Sequence, residues 1–198
     1  MPKRIRRQPL YIAPRILGYY NAADQPVAMD EDTDTLLNPN LLNDKIKIYV
    51  RQVKGWFLDR ASAFIGMQDS NFIVLMICIS YLEGVEQYRQ GRNSDNNSKR
   101  FFRTSLNRLF PSSNFTDDNL NELYSQARRG LFHNGMVGGK IILNTSFNQA
   151  ISFPNVNDIK INPRLLLDAI IADFDSYIVE LHNDQLLRTN FNQMFSVL

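Results

Sequence analysis

The sequence predicts a mainly α protein: a helical bundle of four to five helices with a small β-hairpin insert before the C-terminal helix. Three observations carry this. Apolar residues recur at three- and four-residue spacing in successive stretches between residues 41 and 181. These stretches are bounded by glycine, proline or capping residues. Only between residues 140 and 161 does the apolar period shorten towards that of strands.

Residues 1–38 stand apart from the helical domain expected over residues 39–198. Lys3, Arg4, Arg6, Arg7 and Arg15 come first, then a Pro-punctuated stretch with Asp24, Asp30, Glu31, Asp32 and Asp34. Neither period lasts there. The segment reads as an extended or flexible arm, either draped on the surface or touching RNA or a partner subunit through its basic end.

The first helix opens at Asn38-Pro39-Asn40, and Leu41, Leu42, Ile46, Tyr49, Val50, Val53, Phe57 and Phe64 line one face before Gly66. Asp69 or Ser70 caps the second, which runs from Phe72 to Tyr88 and stops at Gly91. Its first half is apolar all round, so it is expected to be the most buried helix. A third, shorter helix carries Phe101, Phe102, Leu106 and Leu109, with Lys99, Arg100, Arg103 and Arg108 on its other side. That basic run is either a solvated face or a track for RNA. Thr116, with Asp117 and Asp118 behind it, caps a fourth helix through Leu131. Lys140–Leu143 and Ala150–Phe153 are expected to form a hairpin, and Asp158–Ile161 a third short strand. Asn162-Pro163 then opens the strongly amphipathic last helix, followed by a short piece over residues 184–195.

Composition narrows the function classes. Twenty-two basic against twenty acidic residues give a net charge of +2, so a nucleic-acid site must be a local patch. One cysteine, Cys78, leaves no disulfide framework or multi-cysteine zinc site, and two histidines leave no His-rich metal site. The longest apolar run, Phe72–Ile79, has eight residues where a bilayer span needs ~20. The expectation is a cytoplasmic protein with no membrane association, no metal and no cofactor.

The segment that concentrates chemistry is Tyr124-Ser125-Gln126-Ala127-Arg128-Arg129-Gly130-Leu131-Phe132-His133-Asn134-Gly135. On an α-helix Arg129 and His133 share a face. Arg128 and His133 diverge by about 140° and converge only if Gly130 lets the helix bend or a second chain supplies the partner. Gly135–Lys140 has a superficial phosphate-loop look, but it lacks the leading glycine and the Ser or Thr after Lys140, and it reads as a flexible turn.

Arg128, four intervening residues and His133 resemble the Arg-x(4–6)-His signature of the HEPN superfamily. The Leu-Tyr-x(3)-Arg and Gly-Leu-Phe-His-x-Gly context, followed by a loop and a final amphipathic helix, is similar to HEPN proteins of bacterial toxin and antiphage defence systems. The resemblance covers about residues 40–182 and implies a HEPN-like bundle. Arg129 departs from the family pattern, where a small polar residue usually follows the arginine.

That resemblance implies a metal-independent endoribonuclease. The RNA 2′-OH attacks the adjacent phosphate, leaving a 2′,3′-cyclic phosphate. His133 suits proton transfer near neutral pH, and Arg128 suits the developing negative charge of the phosphorane. Arg129, Asn134 and Tyr124 are candidates for substrate contacts, with Glu83 as the carboxylate that holds the guanidinium. The resemblance further implies a homodimer with paired motifs and a cognate antitoxin. Two other readings stand beside it: a non-catalytic HEPN-like bundle that binds RNA or a partner protein, and a purely structural helical protein. In the plainest version His133 is a helix-end histidine, Arg128 and Arg129 are solvated charges, Tyr124 packs in the core, and His182 is structural or exposed.

Overall fold

Strands β1 (Leu10–Ala13), β2 (Ile16–Tyr20), β3 (Pro26–Asp30) and β4 (Thr35–Leu37) open the chain, in the computed structural model that describes residues 4–198 and, at residues 132–134, the backbone alone. Helix α1 (Leu42–Val53) passes through a π-helical turn (Lys54–Leu58) into α2 (Asp59–Phe64). Then come α3 (Asn71–Gln90), α4 (Ser98–Leu109) and α5 (Asp117–Leu123), the last continuing as a π-helical segment, Tyr124–Asn134. Strands β5 (Ile141–Leu143), β6 (Ile151–Ser152) and β7 (Ile159–Ile161) precede α6 (Pro163–Asn183) and α7 (Gln185–Met194).

Six continuous helical runs and seven strands in two sheets, 53% helix and 13% strand, make the described residues an α/β mix. The expected mainly α bundle of four to five helices is therefore corrected. The chain divides into two compact units, one of residues 1–60, 88–92 and 178–198, the other of residues 61–87 and 93–177.

The first unit accounts for most of the correction. Residues 10–37 are an antiparallel meander in the order β1-β2-β3-β4, where the sequence suggests an arm. Each strand has only three to five residues, too few for alternation to stand out between charged turns. Ile12, Ala13, Ile16 and Ala28 are nevertheless buried. Gly18 is required: a Cβ there would lie 2.7 Å from Ile12 Cγ2 and 2.9 Å from Ile5 Cγ1. Gln52 of α1 donates to the Ile12 carbonyl at 2.7 Å, satisfying a buried backbone group. Arg51 pairs with Asp30 at 3.1 Å and also with Asp32, which Arg15 reaches at 3.1 Å. These two guanidiniums hold the Asp32 carboxyl below its ordinary pKa. Tyr49, Tyr88, Phe191 and Phe195 form an aromatic cluster, with Phe191 and Phe195 stacked at 5.2 Å and Tyr49 4.8 Å from Tyr88.

The second unit holds the candidate site. Val74, Leu75, Cys78, Ile79 and Leu82 of α3 are buried, as are Phe101, Phe102 and Leu106 of α4 and Leu166, Ile170 and Phe174 of α6. The first half of α3 is not buried all round, because Phe72, Ile73 and Met76 are 40–44% exposed. Its small sheet is ordered β5-β7-β6. Strand β7 runs parallel to β5 and antiparallel to β6, so the expected β5–β6 hairpin does not form. Asn162, buried before α6, explains the arrangement. Its Nδ2 donates to the Thr145 and Phe147 carbonyls at 2.9 and 2.6 Å, while its Oδ1 accepts from Arg164 and Leu165 N–H. One side chain thus caps α6 and anchors the loop between β5 and β6.

Candidate active site

Thr116 starts the helix that carries the site. Its Oγ1 accepts from Asn119 N–H at 3.1 Å, and Asn119 Oδ1 accepts from Thr116 N–H at 3.2 Å, a reciprocal cap. Helix α5 passes at Tyr124 into eleven residues of π-helix, ended by Gly135 at φ 72°. In π winding each N–H bonds to the carbonyl five residues back. Backbone positions 128 and 133 are therefore nearer in angle than under α winding, which would separate them by about 140°. Positions 129 and 133, four apart, stay near one side of the helix under either winding, and Arg129 is exposed. The side chains of His133 and Asn134 lie outside the described residues.

The following turn folds back on this segment. Gly138 N–H donates to the Gln126 carbonyl at 2.7 Å. A Cβ on Gly130 would stand 2.6 Å from the Met136 carbonyl oxygen and 3.1 Å from Gly138 N, so glycine permits the contact. Glu122 takes hydrogen bonds from Lys140 Nζ at 2.9 Å and Gln126 Nε2 at 3.0 Å. The lysine contact holds the Glu122 carboxyl below its usual range. Gly138 and Lys140 are thus each tied to the helical segment.

Arg128 is three-quarters buried and donates from Nε to Glu83 Oε2 at 3.2 Å. Ser94, itself buried, donates to the other Glu83 oxygen at 2.6 Å. The Arg128 guanidinium carbon stands 5.8 Å from the centre of the Tyr124 ring, within cation–π range. The same ring meets Phe102 edge-on at 5.4 Å. The structure therefore brings together Arg128, Glu83 and Tyr124. Carboxylate and ring fix the guanidinium plane, as recognition of a phosphate requires. Tyr124 is occupied by these contacts and half-buried.

A second polar group lies in the same unit. Arg108 pairs with Asp173, reaches Glu86 at 3.5 Å and bonds Ser105 at 3.1 Å. Tyr81 donates to Asp173 at 2.7 Å. Glu86 thus belongs to Arg108, not to the Arg128 pair. Arg103 pairs with Asp117, so only Lys99 and Arg100 of the basic run are exposed. His182 is exposed. Burial pushes the Cys78 thiol up to about 12, so it stays protonated and inert. Among the described residues, no three His, Cys, Asp or Glu side chains gather to hold a metal, and no helix is long and apolar enough to cross a membrane.

Sequence reasoning missed Ser94 and the Arg108–Asp173–Tyr81 group. Ser94 sits in a polar loop with no periodic signal. Tyr81 and Asp173 of that group are 92 residues apart along the chain, and only the fold brings them together. No protein-family model, curated protein or solved structure matches the chain.

Proposed function

We propose that this chain is a HEPN-like ribonuclease that binds RNA and cleaves it without a metal, using Arg128 and His133. One observation carries the reading. Arg128, its guanidinium plane set by Glu83 and Tyr124, lies in the same π-helical segment as backbone position 133, five positions before it. A guanidinium and an imidazole, as residue types, suit a reaction needing fixed positive charge and a proton-transfer group near neutral pH. The RNA 2′-oxygen attacks phosphorus and loses its proton to one His133. The 5′-oxygen leaves and takes up a proton, and a 2′,3′-cyclic phosphate and a 5′-OH remain. Two proton transfers favour two imidazoles, hence a homodimer in which each copy contributes His133. Such a nuclease would act in the cytoplasm, in toxin–antitoxin or antiphage defence, held in check by an antitoxin protein.

A second reading, a non-catalytic chain that binds RNA or a partner protein, is favoured by the Arg128–Glu83 pair itself, which compensates the arginine charge internally. Incubation of the purified protein with RNA in EDTA, with end-group analysis, separates the two. The nuclease reading expects cyclic phosphate ends and a loss of at least ~100-fold in rate for His133→Ala with the fold intact. Cleavage undiminished in that variant overturns the assigned site. RNA binding without any cleavage supports the second reading.

A further inference from the structure

A cavity of about 370 Å³ opens in the second unit between the α4–α5 loop, the start of α5 and strand β6. That is at the small end of the ~300–1,000 Å³ typical of small-molecule sites. Its chemistry is selective. Phe115 and Phe153 supply aromatic surface, their rings 5.5 Å apart and nearly perpendicular. Asn114, Asn119, Gln149 and Ser152 supply neutral donors and acceptors. No ionisable side chain lines it.

Each feature narrows the ligand. The described lining offers a phosphate, carboxylate or ammonium group no opposite charge to pair with. Amide side chains offer paired donor and acceptor atoms in one plane, the geometry that reads a base edge. Asn119 is oriented in advance: its Oδ1 is occupied by Thr116 N–H, which leaves Nδ2 as the donor. Strand β6 is an edge of its sheet, bonded to β7 alone, so its outer side offers backbone donors and acceptors as well. An aromatic ring completes the set with a stacking surface.

We propose that this cavity binds an unpaired nucleobase, stacked on Phe115 or Phe153 and read at its edge by Asn119 and Gln149. The base can belong to a single-stranded RNA or to a free nucleoside. The inference goes beyond the cleavage reading and does not depend on His133.

The test is a titration of the ¹⁵N-labelled protein with each of the four nucleosides, followed at the side-chain amides of Asn114, Asn119 and Gln149 and the backbone amide of Ser152. A short single-stranded oligoribonucleotide forms a second arm. Saturable shifts confined to these amides are expected for at least one base. Shifts with nucleosides identify a free ligand as sufficient, and shifts with the oligonucleotide alone identify a base carried by a strand. Gln149→Ala, at an exposed position outside the packed core, should weaken binding about tenfold, the loss of one good hydrogen-bonding contact. Phe153→Ala should abolish it. The proposal is overturned if neither arm moves these amides, if a neutral sugar moves them and nucleosides do not, or if Gln149→Ala binds as tightly as the native chain. Nuclease activity plays no part in the readout, so failure of the cleavage reading and failure of this one are separately visible.

Discussion

Two glycines in the second unit should respond in opposite directions to the same substitution. Gly84 lies within α3, and a Cβ added there meets nothing within 4 Å. Gly84→Ala should therefore gain the ordinary helical preference of alanine over glycine, ~1 kcal/mol. Gly130 lies in the π-helical segment, where the added carbon would stand 2.6 Å from the Met136 carbonyl oxygen and 3.1 Å from Val137 Cα. Those are backbone atoms, which no rotamer change can move aside. Overpacking costs ~1–3 kcal/mol, which offsets the ~1 kcal/mol propensity gain and leaves a net loss of ~1 kcal/mol at mid-range. The two variants should differ by ~2 kcal/mol, a spread of ~4–8 °C in Tm for a chain of this size. Because the chain has two compact units, the assay should read this one directly. Hydrogen exchange at the buried amides of Leu82 and Phe102 does so. If Gly130→Ala is as stable as the native chain, or if both variants shift the same way, the turn over residues 136–138 does not pack on the helix as described.

Glu83→Gln keeps the shape at Glu83 but removes the carboxylate charge that pairs with Arg128 at a three-quarters-buried site. Stability should fall by ~1–2 kcal/mol in urea titration, and RNA cleavage should fall with it. The Glu122 carboxyl sits below its ordinary pKa because of Lys140, so its tie contributes stability above the ordinary carboxylate range. The contribution is lost as pH falls through the lowered folded value. The protection factor of the Gly138 amide, its exchange rate corrected for the intrinsic pH dependence, should fall on acidification, and Glu122→Gln should flatten that dependence. Cys78, with its thiol pushed up to about 12, should resist thiol reagents at pH 8 in the native protein. Labelling kinetics should match unfolding, and fast labelling of the folded chain would contradict its burial.

The helices were legible because their signals are local. Thr116, Asn162, Gly91 and Gly135 each occupy the boundary their chemistry suits, and the helical period runs through Leu42–Phe64 even where the winding turns π. The strand segments of the second unit were legible too, but their pairing was not. Register β5-β7-β6 depends on Asn162 bonding to a loop 15–17 residues upstream, and no local pattern encodes that. The N-terminal meander was missed because its strands are short and Arg15, Asp24 and Asp34 turn the chain at positive φ, where glycine would have given a clearer sign. At the candidate site, the Arg128–Glu83 contact is one that the family resemblance implies, and no local pattern in the sequence singles out Glu83. Ser94 carried no sequence signal, because any serine in a polar loop looks the same until burial singles it out.

The eleven-residue π segment ties chain length to geometry. Backbone positions five apart stand about 140° round an α-helix, and the wider winding reduces that separation. Spacing and winding therefore act together: tightening the coil to α winding at the present spacing would carry backbone position 133 about 140° round the helix from position 128. A search for distant cousins of this chain should accordingly let the arginine–histidine gap vary by one and ask whether the helix pitch varies with it.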